Sequence, residues 1–61
     1  MTVEDLFRVT DSTAIFQIVK DGENIWAGTQ LERCSYRENE VKFLRVVGNP
    51  YTKEGLFVID I

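Results

Sequence analysis

The stretch that decides the fold runs Thr13-Ala14-Ile15-Phe16-Gln17-Ile18-Val19-Lys20, then Asp21-Gly22-Glu23-Asn24, then Ile25-Trp26-Ala27-Gly28-Thr29. Its first part is dense in β-branched and aromatic residues, which fit a pleated, half-buried surface. Asp-Gly between two apolar runs is a strong local hairpin signal, because both residues tolerate the positive φ of a tight primed turn. The stretch predicts two antiparallel strands, over 13–20 and 25–29. Gly28 marks a bulge or a close backbone approach in the second.

Working outward, Thr2-Val3-Glu4-Asp5 reads as a helix start. Thr2 can cap free N–H groups, Asp5 sits where a capping-box acid reaches back, and two acids suit the positive end of the helix dipole. Val3, Leu6, Phe7 and Thr10 share one face at helical spacing, so a helix is expected from Val3 to Val9, broken by Asp11-Ser12. Downstream, Leu31 to Asn39 is either one helical turn or an irregular charged crossing. Glu40 to Val47 reads as a third strand and Leu56 to Ile61 as a fourth. They are separated by a Gly- and Pro-bearing turn from Gly48 to Gly55.

The expected fold is α+β: a short N-terminal helix plus a four-stranded antiparallel sheet made of two hairpins, 13–29 and 40–61, in a single domain over 1–61. A helix of about seven residues is too short to cover four strands. Either the sheet curls into a small, SH3-like all-β barrel, or an apolar face is left for a partner.

The 61 residues are 44% hydrophobic and 28% charged, with seven Lys+Arg, ten Asp+Glu and no His. The apolar content suits a folded domain, but a chain this short has little core, and association would help it. A net charge of −3 disfavours direct nucleic-acid binding, which needs a basic stripe. A regulator built on Arg33, Arg37, Lys42 and Arg45 is the version of that reading the sequence allows. The single cysteine, Cys34, excludes an intramolecular disulfide and suits a reducing cytosol. No apolar run approaches membrane-helix length, and the acidic start does not resemble a signal peptide. A cytoplasmic protein without membrane contact is expected.

Catalytic signals are weak. Without His the commonest general base at neutral pH is missing, so neither Cys34 nor Ser12 nor Ser35 has an imidazole to activate it. The carboxylate pairs Asp21/Glu23 and Glu38/Glu40 lie in polar segments, where solvent keeps such groups ordinary. The sequence lacks the His/Cys cluster of a zinc site, the ligand spacing of a calcium loop, and the glycine pattern of a phosphate cradle. We therefore expect no catalytic residues, metal or cofactor. Phe16, Phe43 and Phe57 read as core. Trp26, Tyr36 and Tyr51 lie near turns and polar residues, where aromatics either anchor protein interfaces or pack at the rim of a small core.

The order Met1-Thr2-Val3-Glu4-Asp5-Leu6, strand, Asp21-Gly22 hairpin, Trp26-Ala27-Gly28, acidic crossing, Glu40-Val41 and a closing apolar strand from Leu56 to Ile61 resembles short reading frames of phages and mobile elements in Gram-positive bacteria. The resemblance spans nearly the whole chain. It implies a non-enzymatic accessory, of the kind that blocks a host protein such as a CRISPR or other defence effector. The expected contact residues are Asp21, Glu23, Trp26, Tyr36, Glu38 and Glu40, offered to a basic surface on a host or phage protein, with carboxylates standing in for phosphates where that surface grips nucleic acid. A structural homo-oligomer such as a homodimer, through an uncovered sheet face or an edge strand that pairs with its twin, is the principal alternative.

Overall fold

In the computed structural model, which describes residues 1–61, the chain starts with a reciprocal capping box. The Asp5 N–H donates to the Thr2 hydroxyl and the Thr2 N–H donates to the Asp5 carboxylate. Helix α1 follows over Val3–Val9, as expected, and ends where Thr10 turns extended and its hydroxyl donates to the Leu6 and Phe7 carbonyls. Val3, Leu6 and Phe7 form its buried face.

Four strands follow: β1 over Ile15–Lys20, β2 over Glu23–Thr29, β3 over Phe43–Val47 and β4 over Leu56–Asp60. Asp21 (φ 53°) and Gly22 (φ 82°) make the β1–β2 turn, both in the left-handed region that a primed hairpin turn requires. The bulge is not at Gly28. It lies where Ile18 faces Trp26 and Val19 faces Asn24, leaving Ile25 as the extra residue. Gly28 is instead a close approach, since a side chain there would meet Glu32 and Trp26.

The sheet order is β2-β1-β4-β3, which corrects the expectation of an all-antiparallel sheet. Both sequence-adjacent pairs, β1/β2 and β3/β4, are antiparallel, but β1 and β4 run parallel at the centre of a mixed sheet. Hairpin chemistry determines pairing within each half and not how the halves join. Burial decides the join: β4 buries Phe57, Val58 and Ile59 on both faces and takes an inner place, while β3, with Arg45 at its middle, stays outside. The β3–β4 connection is also a long turn over 48–55 rather than a tight hairpin. Gly48 there has φ 62°, and a side chain on it would run into the Glu54 backbone. The sheet is open, because β2 and β3 are its two edges and do not pair; it is not a barrel.

The third strand starts at Phe43 rather than Glu40. Glu40 forms an isolated bridge with Thr2, and the Val41 N–H donates to the Met1 carbonyl, tying this entry segment to the start of α1. Phe7, Phe16, Ile18, Ile59 and Val3 are the fully buried side chains. The Phe7 and Phe16 ring centroids lie 4.7 Å apart, and Phe16 stacks on Phe57 at 5.2 Å. Phe43, expected in this core, is 60% exposed. Register explains it: Leu44 and Val46 align with Ile59 and Phe57, so Phe43, opposite Asp60, points to the other face.

Candidate functional site

Two surfaces compete for the role of contact site. The first is the one read from the sequence. The chain from Gln30 to Glu40 crosses back beside α1, held by side chains that grip its backbone. The Trp26 indole N–H donates to the Arg33 carbonyl at 2.9 Å, and its ring lies 6.1 Å from that of Phe7. The Arg37 guanidinium donates to Glu4 at 2.7 Å and to the carbonyls of Gln30 (2.6 Å) and Glu32 (3.2 Å), while lying 4.9 Å over the Phe7 ring. The Val3 and Glu4 N–H groups donate to the carbonyls of Asn39 and Arg37. The hydrogen bond from Arg37 holds the Glu4 carboxyl below its ordinary range. The Thr2 backbone does the same for Asp5, and the Thr13 backbone for Asp11.

The six expected contact residues divide. Trp26 and Tyr36 are half-buried and pack against the core. Asp21 and Glu23 are exposed at the β1–β2 turn, and Glu38 is exposed on the crossing. Glu40 is exposed too, 3.2 Å from the Met1 amino group. Because Val19 pairs with Asp60 and Asp60 with Phe43, the β1–β2 turn, the end of β4 and the entry to β3 share one end of the sheet. Asp21, Glu23 and Glu40 are thereby brought to the same end. The basic residues are not gathered in the same way. Arg37 binds Glu4 on the helix side, and Arg45 pairs with Asp60 at 3.2 and 3.3 Å on the opposite face. The molecule has no pocket, and Cys34 is a buried free thiol.

The second surface was not singled out from the sequence. All five residues of β3 are exposed, including Phe43 (60%), Val46 (57%) and Val47 (52%). Leu44 and Val46 stand on the core face beyond the reach of α1, and Phe43 and Val47 stand on the other. Tyr51, also exposed, sets its ring edge-on to Phe57, 5.8 Å away, and extends the patch on the core side. Apart from its ladder to β4, β3 makes no backbone hydrogen bond, so its outer flank faces solvent. The signal was present in Val41-Lys42-Phe43-Leu44-Arg45-Val46-Val47: apolar residues at both parities, interrupted by two cations. Such a run suits either a central strand buried on both faces or an edge strand with a partner, and the pattern alone does not choose.

Comparison with protein-family models, with curated proteins and with solved structures finds no match to this chain.

Proposed function

We propose that this chain is a non-catalytic protein-binding module whose contact surface is the outer strand β3. One observation carries the reading: every residue of β3 is exposed and four of its five side chains are apolar. Monomeric proteins blunt an outer strand with free charges, proline or a bulge, because an unpaired backbone flank invites another strand. In β3 the one charge, Arg45, is turned onto Asp60 of the neighbouring strand. An apolar patch with a polar rim is the usual anatomy of a protein interface, and addition of a strand is a recurrent mode of recognition. The resemblance to phage and mobile-element frames suggests the setting, an accessory in a bacterial cytoplasm that occludes a host protein; a lone, buried thiol suits that reducing compartment.

The acidic end formed by Asp21, Glu23 and Glu40, with Glu38 on the adjoining crossing, supports a second reading. There the carboxylates steer a basic partner into place. Salt separates the two. Binding through the acidic end weakens steeply as salt rises, whereas binding through β3 changes little.

The test is a photoreactive residue at Val46, with Ala27 on the other outer strand as control, in cells that produce the protein. Illumination is expected to give covalent protein adducts from Val46 and none from Ala27. Absence of adducts from Val46 overturns the reading.

A further inference from the structure

We infer that the occupant of β3 is an extended segment of another protein, apolar on both its faces and carrying a carboxylate beside Lys42, which joins the sheet as an added strand. The inference rests on the reading of β3 as the contact surface and specifies the chemistry of its partner.

The hydrogen bonds set the length of the joint. The Val41 N–H is spent on the Met1 carbonyl and the Lys42 N–H on the Asp60 carbonyl, so the flank open to another strand is Phe43–Val47 alone. A strand that pairs there places its side chains alternately on the two faces of the sheet. On the core side it meets Leu44 and Val46, and on the other side Phe43 and Val47, all of them exposed. A matching segment is therefore about five residues long and apolar at both parities, because cross-strand apolar pairs stabilise such a joint. A lipid surface would meet only one of the two faces.

Charge marks one end of that segment. Two acids lie at the entry to β3, and each already has a cation: Glu40 the Met1 amino group at 3.2 Å, and Asp60 the Arg45 guanidinium at 3.2 Å. Lys42 is exposed, has no ion-pair partner, and is the charge left over. At the other end Lys53 is followed directly by Glu54, so the connection over 48–55 is neutral. The acids of the β1–β2 turn do not cancel Lys42. Strands β1 and β2 lie two and three places from β3, roughly 10 and 14 Å at ~4.8 Å per strand, beyond the ~8 Å screening length of physiological salt. A second copy of β3 does not meet the requirement, because it brings Lys42 and Arg45 and no acid of its own. One exposed ion pair adds less than the ladder and the apolar contact, so the carboxylate selects among apolar segments more than it raises affinity. Binding through β3 thus keeps its weak salt dependence.

A joint of this length is small beside the roughly 1,200 Å² of a stable complex, so isolated segments bind weakly. The test is therefore a library of random peptides of about a dozen residues, displayed in many copies on phage and selected against the immobilised full chain, since multivalent display makes weak contacts detectable. Enriched peptides are expected to share a run of β-branched or aromatic residues with Asp or Glu at one end. Selection against Lys42→Glu should return the same kind of run with Lys or Arg at that end. A synthetic copy of an enriched peptide, titrated by NMR, should shift the amides of 43–47 and bind the Lys42→Glu chain about three- to tenfold more weakly. Lys42 is exposed and unpaired, and the same spectra report that the variant is folded. No enrichment, enrichment without an acid, or an acid preference indifferent to Lys42→Glu overturns the inference. Sedimentation of the chain with phosphatidylserine vesicles, in place of peptide enrichment, also overturns it. If any of these occurs while Val46 still gives protein photo-adducts, β3 remains a binding surface with a different occupant. Neither peptides nor adducts overturns both readings.

Discussion

The two outer strands of this sheet differ in how their edges are treated. β2 begins with a charged residue, is bulged at Ile25, and ends under the crossing, where the Glu32 N–H donates to the Thr29 carbonyl and the Thr29 N–H donates to the Glu32 carboxylate. Its indole reaches across to the Arg33 backbone. β3 has neither bulge, cover nor free central charge, and its apolar side chains face water on both sides of the sheet. The same chain therefore protects one edge and leaves the other bare. Helix α1 is seven residues long, and its buried face packs in one cluster with residues of β1 and β4 to which no β3 residue belongs. The lesson is that the limited covering available to a 61-residue chain is concentrated on one side, and function is most economically sought on the other.

The comparison is most strongly tested by removing the indole that binds β2 to the crossing. Trp26→Ala loses packing against Phe7 and leaves the Arg33 carbonyl without its donor, and is expected to cost about 2–4 kcal/mol in urea unfolding. Arg37→Met removes the donor to Glu4 and to two carbonyls of the crossing; it should lower the urea midpoint by less than Trp26→Ala does. Thr2→Ala deletes the helix cap and is expected to cost about 1 kcal/mol, read as a lower melting temperature.

Acid should act on this same side of the molecule. The carboxyls of Glu4, Asp5 and Asp11 are each held below their ordinary values of 4.5, 3.8 and 3.8. A depressed folded-state value means that the contribution is fully present above the unfolded value and is lost as pH falls through the folded one. Melting temperature is thus expected to hold at neutral pH and to fall as pH drops below about 4.5, with Asp5→Asn shallowing that fall. The smallest effect belongs to β3. Val46→Ala in dilute protein should change stability by no more than about 0.5 kcal/mol, as at other exposed positions. A loss as large as that of Trp26→Ala would mean that β3 is held as tightly as β2, and the contrast would fail.

Local chemistry was legible from the residues. Thr2 and Asp5 announced the capping box, Val3, Leu6 and Phe7 the buried helix face, and Asp21-Gly22 the turn. Each of those signals acts within a few residues of itself. The strand order was not legible, because the parallel contact of β1 with β4 joins residues about forty apart and leaves no local mark. The misplacement of Phe43 follows from this. An apolar run is core in an inner strand and surface in an outer one, and only the order tells which. For Trp26 and Tyr36 the residues left rim packing and interface anchoring equally open, because the crossing that meets Trp26 and carries Tyr36 has no regular period to read; the structure packs both against the core. The acidic candidates Asp21, Glu23, Glu38 and Glu40 were read correctly as exposed, but the exposed apolar strand escaped notice because it looked like interior.

Hydrogen exchange of individual backbone amides, followed by NMR in dilute protein, tests the central claim most directly. Strands 23–29 and 43–47 would be compared in the same sample. Faster exchange over 43–47 than over 23–29 is the expected result. Equal protection in the two strands, or stronger protection over 43–47, would contradict the account.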